Sequence, residues 1–254
     1  MRDKNMIEKE TVLSQSHSYR HKIHLFCVPN AGGTALMYKG WKALLHPSIH
    51  LCLLELAGRG RRFQEDCYND ISEAVEDLYC RIEPQLGEGD FAFFGHSMGA
   101  LLCYELIGKI WSRRHLSPLH AFLSGRLPPS NHEAKKLHLQ SDEQLRIEVM
   151  QWGGLSAQQL MDETLMRMFL PILRADLRVV ETYNQRDREY HRLPCSLSIL
   201  TGADDAIARP SEMSPWTEFT SQSCAFHIFP GGHFYITECK DDVIYLVNTL
   251  LAQL

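Results

Sequence analysis

Residues 91–106 read FAFFGHSMGALLCYEL, and the fold turns on how the serine at position 97 is read. Phe91–Phe94 is a short, apolar, aromatic run of the kind that makes a buried strand. Beyond the serine, Leu101, Leu102, Glu105, Leu106 and Ile110 recur at helical spacing. Between them lies Gly95-His96-Ser97-Met98-Gly99, a G-x-S-x-G. In a strand–turn–helix context this pattern is a nucleophile elbow. The serine takes a strained backbone conformation, the glycines keep neighbouring chain out of its way, and the hydroxyl stands at the carboxyl end of the strand. The context predicts that Ser97 is a nucleophile rather than a solvated turn residue.

A chain of 254 residues suits one large α/β domain or two small ones, and a hydrophobic fraction of 44% supplies a substantial core. The net charge is −5, without a block of like charges, which argues against a nucleic-acid partner. No apolar run approaches the ~20 residues of a membrane span. Residues 1–22, MRDKNMIEKETVLSQSHSYRHK, are polar and lack the apolar centre of a secretion signal, so they read as a loose, partly disordered tail. The eight cysteines form no C-x-x-C, and several sit in apolar runs. Without an export signal they read as reduced thiols in a cytoplasm. The thirteen histidines show no H-E-x-x-H or similar metal spacing, so most read as surface or core residues.

Strand-like runs recur at 23–28, 49–56, 91–94, 121–124, 196–200 and 225–229, alternating with helical stretches. Asp70-Ile71-Ser72-Glu73 has the form of a capping box, opening a helix to about Leu86, and residues 241–254 close the chain with an amphipathic helix. The alternation predicts a mostly parallel sheet covered on both faces. From about Pro128 to Tyr190 it stops. Ser141–Gln144 and Ser156–Gln159 have capping-box form, and Met161, Leu165, Met168, Phe169, Ile172, Leu173, Leu177 and Val180 mark a helical stripe. Pro171 is expected to kink or break that helix. A helical insertion of roughly sixty residues is too long for an ordinary connection. Its place above the carboxyl edge of the sheet predicts a lid, with the stripe lining a pocket as well as packing on the core.

A serine nucleophile needs a base, and the base an orienting acid, in the chain order Ser, Asp or Glu, His. Phe229-Pro230-Gly231-Gly232-His233-Phe234 places His233 on a loop just past the last strand run, whereas His227 lies inside that run and is the weaker candidate. The acid falls in Leu200-Thr201-Gly202-Ala203-Asp204-Asp205, where position alone leaves Asp204 and Asp205 both open. An oxyanion needs two preorganised N–H donors. The amide of Met98, next to the serine, is one. The Gly-rich stretch Val28-Pro29-Asn30-Ala31-Gly32-Gly33, after the first strand run, offers Ala31 as the other.

Taken together these segments resemble the type II, or external editing, thioesterases of nonribosomal peptide and polyketide synthesis. The stretch Leu25–Gly33 resembles that family's first strand and oxyanion loop. Ala57-Gly58-Arg59-Gly60-Arg61-Arg62 resembles its P-G-R-G segment, with Ala57 where proline is usual. Gly95–Ala100 matches its nucleophile motif, and Leu170-Pro171-Ile172-Leu173-Arg174-Ala175-Asp176 its lid-end motif. Gly202–Asp205 and Gly231–Phe234 match its acid and base loops. The likeness runs from Ile23 to the C-terminus. It implies an α/β-hydrolase fold over 23–254 with a helical lid at about 128–190, and hydrolysis of acyl groups from the phosphopantetheine arm of carrier proteins. It also implies Ser97 as nucleophile, His233 as base, Asp205 rather than Asp204 as acid, and no metal or cofactor.

A carboxylesterase or acyltransferase is the alternative on the same fold, since the elbow is shared. A catalytically silent interaction protein is the alternative from another class, and the complete set Ser97, Asp205 and His233 argues against it. Arg59, Arg61 and Arg62 read either as contacts for an acidic carrier or the pantetheine phosphate, or as a solvated loop.

Overall fold

The structure is a computed structural model that describes residues 22–130, 136–184 and 192–252. The polar tail expected over residues 1–22 therefore lies outside the described residues, apart from Lys22. All six strand runs form strands: β1 Ile23–Val28, β2 Ile49–Leu53, β3 Phe91–His96, β4 His120–Ser124, β5 Ser196–Gly202 and β6 Cys224–Phe229. They make one parallel sheet in the order β2-β1-β3-β4-β5-β6. β2 stops short of the expected Leu56 because its neighbour runs out: Leu53 pairs with Cys27, the Leu54 amide bonds the Cys27 carbonyl, and β1 ends one residue later. β3 and β5 run past their apolar stretches, to His96 and Gly202, because the ladder continues there through His96–Ser124 and Gly202–Phe229.

Successive side chains point to opposite faces of a strand. Phe26, Val28, Phe93, Leu123 and Ile199 face a core closed by α1 (Ile71–Ile82) and α2 (Met98–Arg114). Leu25, Cys27, Phe94, Phe122 and Leu200 face the opposite core, closed by the 3-10 segment Ala35–Ala43 and by the last helix, Lys240–Leu251. Burial on both faces is what an all-parallel sheet requires. α1 starts at Asp70, whose carboxylate accepts from the Glu73 amide at 2.9 Å. The Glu73 carboxylate reaches back to the Asn69 amide at 2.7 Å, one residue earlier than a regular box places it.

The chain lays β2 on one side of β1, then crosses to the other side for β3 and continues outward to β6. The order thus reverses between β1 and β3. In such sheets ligands bind in the crevice at the carboxyl ends of the strands where the order reverses. The loop after β1 and the turn carrying Ser97 flank that point.

Between β4 and β5 lie α3 (Asp142–Trp152), α4 (Ala157–Met161) and α5 (Glu163–Glu181). Ser156 and Gln159 form a reciprocal capping box, and Ser141 accepts from the Gln144 amide. Leu137, Leu145, Val149, Met166, Leu170, Leu173 and Leu177 form a small core of their own. Two expectations are corrected here. α5 runs unbroken through Pro171: Asp162 caps it by accepting from the Thr164 and Leu165 amides, and the buried side chains on both sides of the proline hold it in place. The stripe read in the sequence is buried at Leu173, Leu177 and Val180 but not at its two methionines. Met166, Leu170, Leu173, Leu177 and Val180 are buried, whereas Met161 and Met168 are 81% and 68% exposed. Met161 ends α4 rather than lying on α5, Met168 faces out, and methionine counts as apolar on either face of a helix.

Candidate active site

Ser97 follows β3 directly, with φ 56° and ψ −115°. Among the described residues only His115 shares a positive φ without being glycine. The turn is pinned by the Ser97 amide, which donates to the Ser124 carbonyl at 2.7 Å. The two glycines are required by close approach. A Cβ at Gly95 would sit 2.2 Å from the Gly99 carbonyl oxygen, and one at Gly99 2.1 Å from that of Val28. Gly95 is crowded by the start of α2 and Gly99 by the end of β1, so no side chain fits in either place.

A cavity of about 290 Å³ opens beside Ser97, and its wall includes Asn30, Ala31, Met98 and His233. His233 and Asp205 are both buried, and His233 Nδ1 donates to Asp205 Oδ2 at 2.8 Å. Asp205 Oδ1 accepts from the amides of Ile207 and Ala208 at 2.8 and 2.9 Å. Burial pushes the Asp205 carboxyl up, but His233 and the two amides outweigh it and hold the group below the usual aspartate range. Asp204 is exposed, and its amide serves the turn by donating to the Gly231 carbonyl. His227 stays on β6 and lines a separate small cavity with Phe226 and Ile228. The structure thus brings Ser97, Ala31, Met98 and His233 to one cavity, joins Asp205 to His233, and leaves Asp204 and His227 out.

The arginines divide. Arg61 is exposed, as either sequence reading of this stretch expects, but Arg59 and Arg62 are buried, which corrects both readings, contact surface and solvated loop, for those two. Arg62 is gripped by Glu65 and Asp77 and bonds the Tyr68 hydroxyl. Arg59 forms a buried ion pair with Asp176.

Of the other residues at the site, Leu177 and Val180 belong to the helical stripe expected to line a pocket, and the rest were assigned no role from the sequence. Beside the His233 ring, at 5.0 Å between centroids, lies buried His96. Its Nδ1 is 2.9 Å from Ser124 Oγ, which is 2.6 Å from the Tyr235 hydroxyl. Burial, and then the charge of His233, push the His96 imidazole well down, so it stays neutral. Gly125, Arg126, Leu127, Leu137, Glu148, Trp152, Leu177, Val180, Ala206, Ile207 and Phe234 complete the wall. Glu148 and Trp152 are four apart on α3, a spacing that puts them on one face and was the only local hint of them.

The parallel sheet, its reversal point and the serine turn on it define the α/β-hydrolase class. Within that class the thioesterase domain family matches residues 23–253, and the chain belongs to that family. A curated relative from Streptomyces griseus, described as "Probable cadicidin biosynthesis thioesterase", is 35% identical over 232 residues, or 91% of this chain; the chain spans 62% of that relative. The structure of ClbQ from the colibactin NRPS/PKS pathway superposes with a TM-score of 0.86 at 32% identity, covering 91% of this chain and 98% of ClbQ. That of the type II thioesterase BorB from the borrelidin biosynthetic cluster gives 0.82 at 34% identity, covering 92% and 96%. The type II thioesterase resemblance carried by the motifs is therefore matched along the whole described fold. No helix among the described residues is long and apolar enough to cross a membrane.

Proposed function

We propose that this thioesterase removes acyl groups from the phosphopantetheine arm of carrier proteins in a peptide or polyketide synthase, freeing stalled or wrongly loaded arms, with Ser97, His233 and Asp205 as its triad. The observation that carries the reading is the Asp205–His233 hydrogen bond of 2.8 Å on the wall of the cavity that Ser97 also lines.

His233 takes the Ser97 hydroxyl proton as Oγ bonds to the thioester carbonyl carbon. The carbonyl electron pair moves onto oxygen, which the amides of Ala31 and Met98 hold. As the tetrahedral centre collapses, the C–S bond breaks and the sulfur leaves with the proton from His233. Water then attacks the acyl-serine with His233 again as base, releasing the carboxylic acid and restoring the serine. Asp205 keeps Nδ1 protonated, so that Nε2 is the basic nitrogen. The helices between β4 and β5 act as a lid over the acyl group, supported by the share of the wall that Leu137, Glu148, Trp152 and Leu177 form. A cytoplasmic setting is supported by the eight unpaired cysteines.

A thioester and an oxygen ester present similar carbonyls to a serine, so specificity must come from remote contacts that help the transition state. One acyl group offered on a carrier protein, on coenzyme A and on a simple alcohol tests this. The expected order of kcat/KM is carrier, coenzyme A, ester, with the carrier ahead by roughly ten- to a hundredfold. A preference for the simple ester would move the protein to the carboxylesterases.

A further inference from the structure

Three separated stretches of sequence meet at one buried carboxylate. Asp176, on α5, accepts from the Gly32 amide through Oδ2 at 2.7 Å. Arg59 grips the same carboxylate with both terminal nitrogens, Nη1 on Oδ2 and Nη2 on Oδ1. Each side chain of the pair is 2% exposed. Arg59 is itself anchored by Nε on the Ala57 carbonyl at 3.2 Å and by Nη1 on the Gly33 carbonyl at 3.4 Å. The loop after β1, the loop after β2 and α5 are thus tied together immediately behind Ala31.

A fully buried ion pair is weak evidence for stability, because desolvation offsets the attraction and an apolar pair of similar size serves as well. What this pair supplies that an apolar pair does not is an acceptor of fixed position for a backbone amide. The Ala31–Gly32 peptide is held at both ends: its carbonyl accepts from Asn30 Nδ2 at 2.8 Å, and its N–H donates to Asp176. Gly32 has φ 70°, and the Phe169 ring of α5 would lie 2.6 Å from a Cβ there, so α5 also closes the space beside the loop. Fixing the peptide on one side of Ala31 leaves that residue little freedom to turn its own N–H away from the cavity.

We infer that Asp176, locked by Arg59, is the positioning residue of the oxyanion loop: it aims the Ala31 amide at the carbonyl oxygen attacked by Ser97, and so makes that donor depend on α5 being in place. The inference rests on the reading of Ser97 and Ala31 proposed above. An oxyanion donor acts by being preorganised where charge develops, so loosening it weakens the transition state and leaves ground-state binding alone.

The test uses Asp176→Asn and Arg59→Met in the full chain. It measures kcat and KM on an acyl-carrier thioester, the affinity for an alkylboronic acid, which forms a tetrahedral adduct on a reactive serine, and the affinity for a thioether analogue of the substrate. The expected result is a fall in kcat of about 10- to 100-fold with an equal loss of boronic-acid affinity, while KM and thioether affinity stay within about twofold. Arg59→Lys keeps a cation in place. It should recover most of kcat, and it carries the test with a loss of about threefold if the other variants do not fold. A kcat within error of wild type in the folded variants, or equal losses in all four quantities, overturns the inference. Ser97→Ala run alongside separates the two failures. Turnover surviving there removes the reading of Ser97, whereas unchanged Asp176→Asn beside an inactive Ser97→Ala removes only the role of Asp176.

Discussion

The carboxyl edge of the sheet and the helical stretch between β4 and β5 wall the same cavity, yet they are organised by different physics. At the sheet edge, Ser97, Asp205 and His233 stand one, three and four residues past the ends of β3, β5 and β6. Their positions follow from local backbone geometry hung on a hydrogen-bonded ladder, and two glycines permit the approach. On the helical side, Leu137, Glu148, Trp152, Leu177 and Val180 come from three elements, and only Leu177 and Val180 were marked in the sequence, by helical spacing rather than by a motif. They reach the cavity because the small core behind them sets the rotation of each helix. The proposed reactive positions are fixed by strand ends, and the wall positions by packing.

Breaking the sheet edge should therefore have the largest effect. Ser97→Ala is expected to lower turnover by about 10⁵-fold or more and to leave no acyl adduct by intact mass, with circular dichroism unchanged. Residual turnover near wild type would show that the cavity uses another nucleophile. Asp205→Asn is expected to cost about 10³- to 10⁴-fold, because the amide no longer holds His233 in its working tautomer. Asp204→Asn, at an exposed carboxylate, should stay within twofold; the reverse ranking would assign the orienting role to the wrong aspartate.

The interior of the sheet gives a third, smaller effect. His120 Nε2 lies 2.8 Å from Ser198 Oγ across β4 and β5, and burial, followed by neighbouring His227, pushes its imidazole down from 6.5 to about 4. Between those values the unfolded chain binds a proton that the folded chain lacks, so stability should fall as pH drops through that window. The loss attributable to this site is roughly 3 kcal/mol. Urea titrations at pH 7 and pH 4.5 on wild type and His120→Gln check the sign. Equal slopes against pH in the two proteins would mean that His120 titrates normally.

The helical side should respond in preference more than in rate. Trp152→Ala is expected to shift the ratio of kcat/KM between a short and a long acyl group by roughly tenfold, through lost contact area. Met161→Lys and Met168→Lys should change that ratio by less than twofold and stability by about 0.5 kcal/mol or less, since both side chains face water. A large shift from Met168 would place the acyl group on the opposite side of α5, and one from Met161 would place it against the end of α4.

The same division decides what could be read in advance. All six strands, the elbow, the His233 loop and the pair Asp204–Asp205 are visible in the sequence, because each is a run or a turn of a few residues whose composition is dictated locally. Choosing Asp205 over Asp204 needed the family pattern, since both stand in the same loop and only the fold buries one of them. The exposure of Met161 and the continuity of α5 through Pro171 were not legible, because both depend on packing partners far along the chain. Arg59 was misread for a related reason. An arginine in a glycine-rich loop looks solvated until its partner, Asp176 on α5, is brought to it by the fold.

The eight unpaired cysteines acquire a meaning from the chemistry around them. A thioesterase works among activated acyl groups and releases thiols, so a thiolate of its own would be a rival acceptor. Burial pushes Cys52 and Cys224 up to about 11 and Cys195 up to about 12, and raises Cys27 and Cys103 as well. At neutral pH a thiol of that kind is ionised in roughly one molecule in ten thousand or fewer, and the thiolate is the reactive form. Cys27, Cys103 and Cys195 sit in the core and Cys52 and Cys224 pack partly buried against it, so burial keeps the reactive thiolate form of all five scarce beside the proposed nucleophile Ser97.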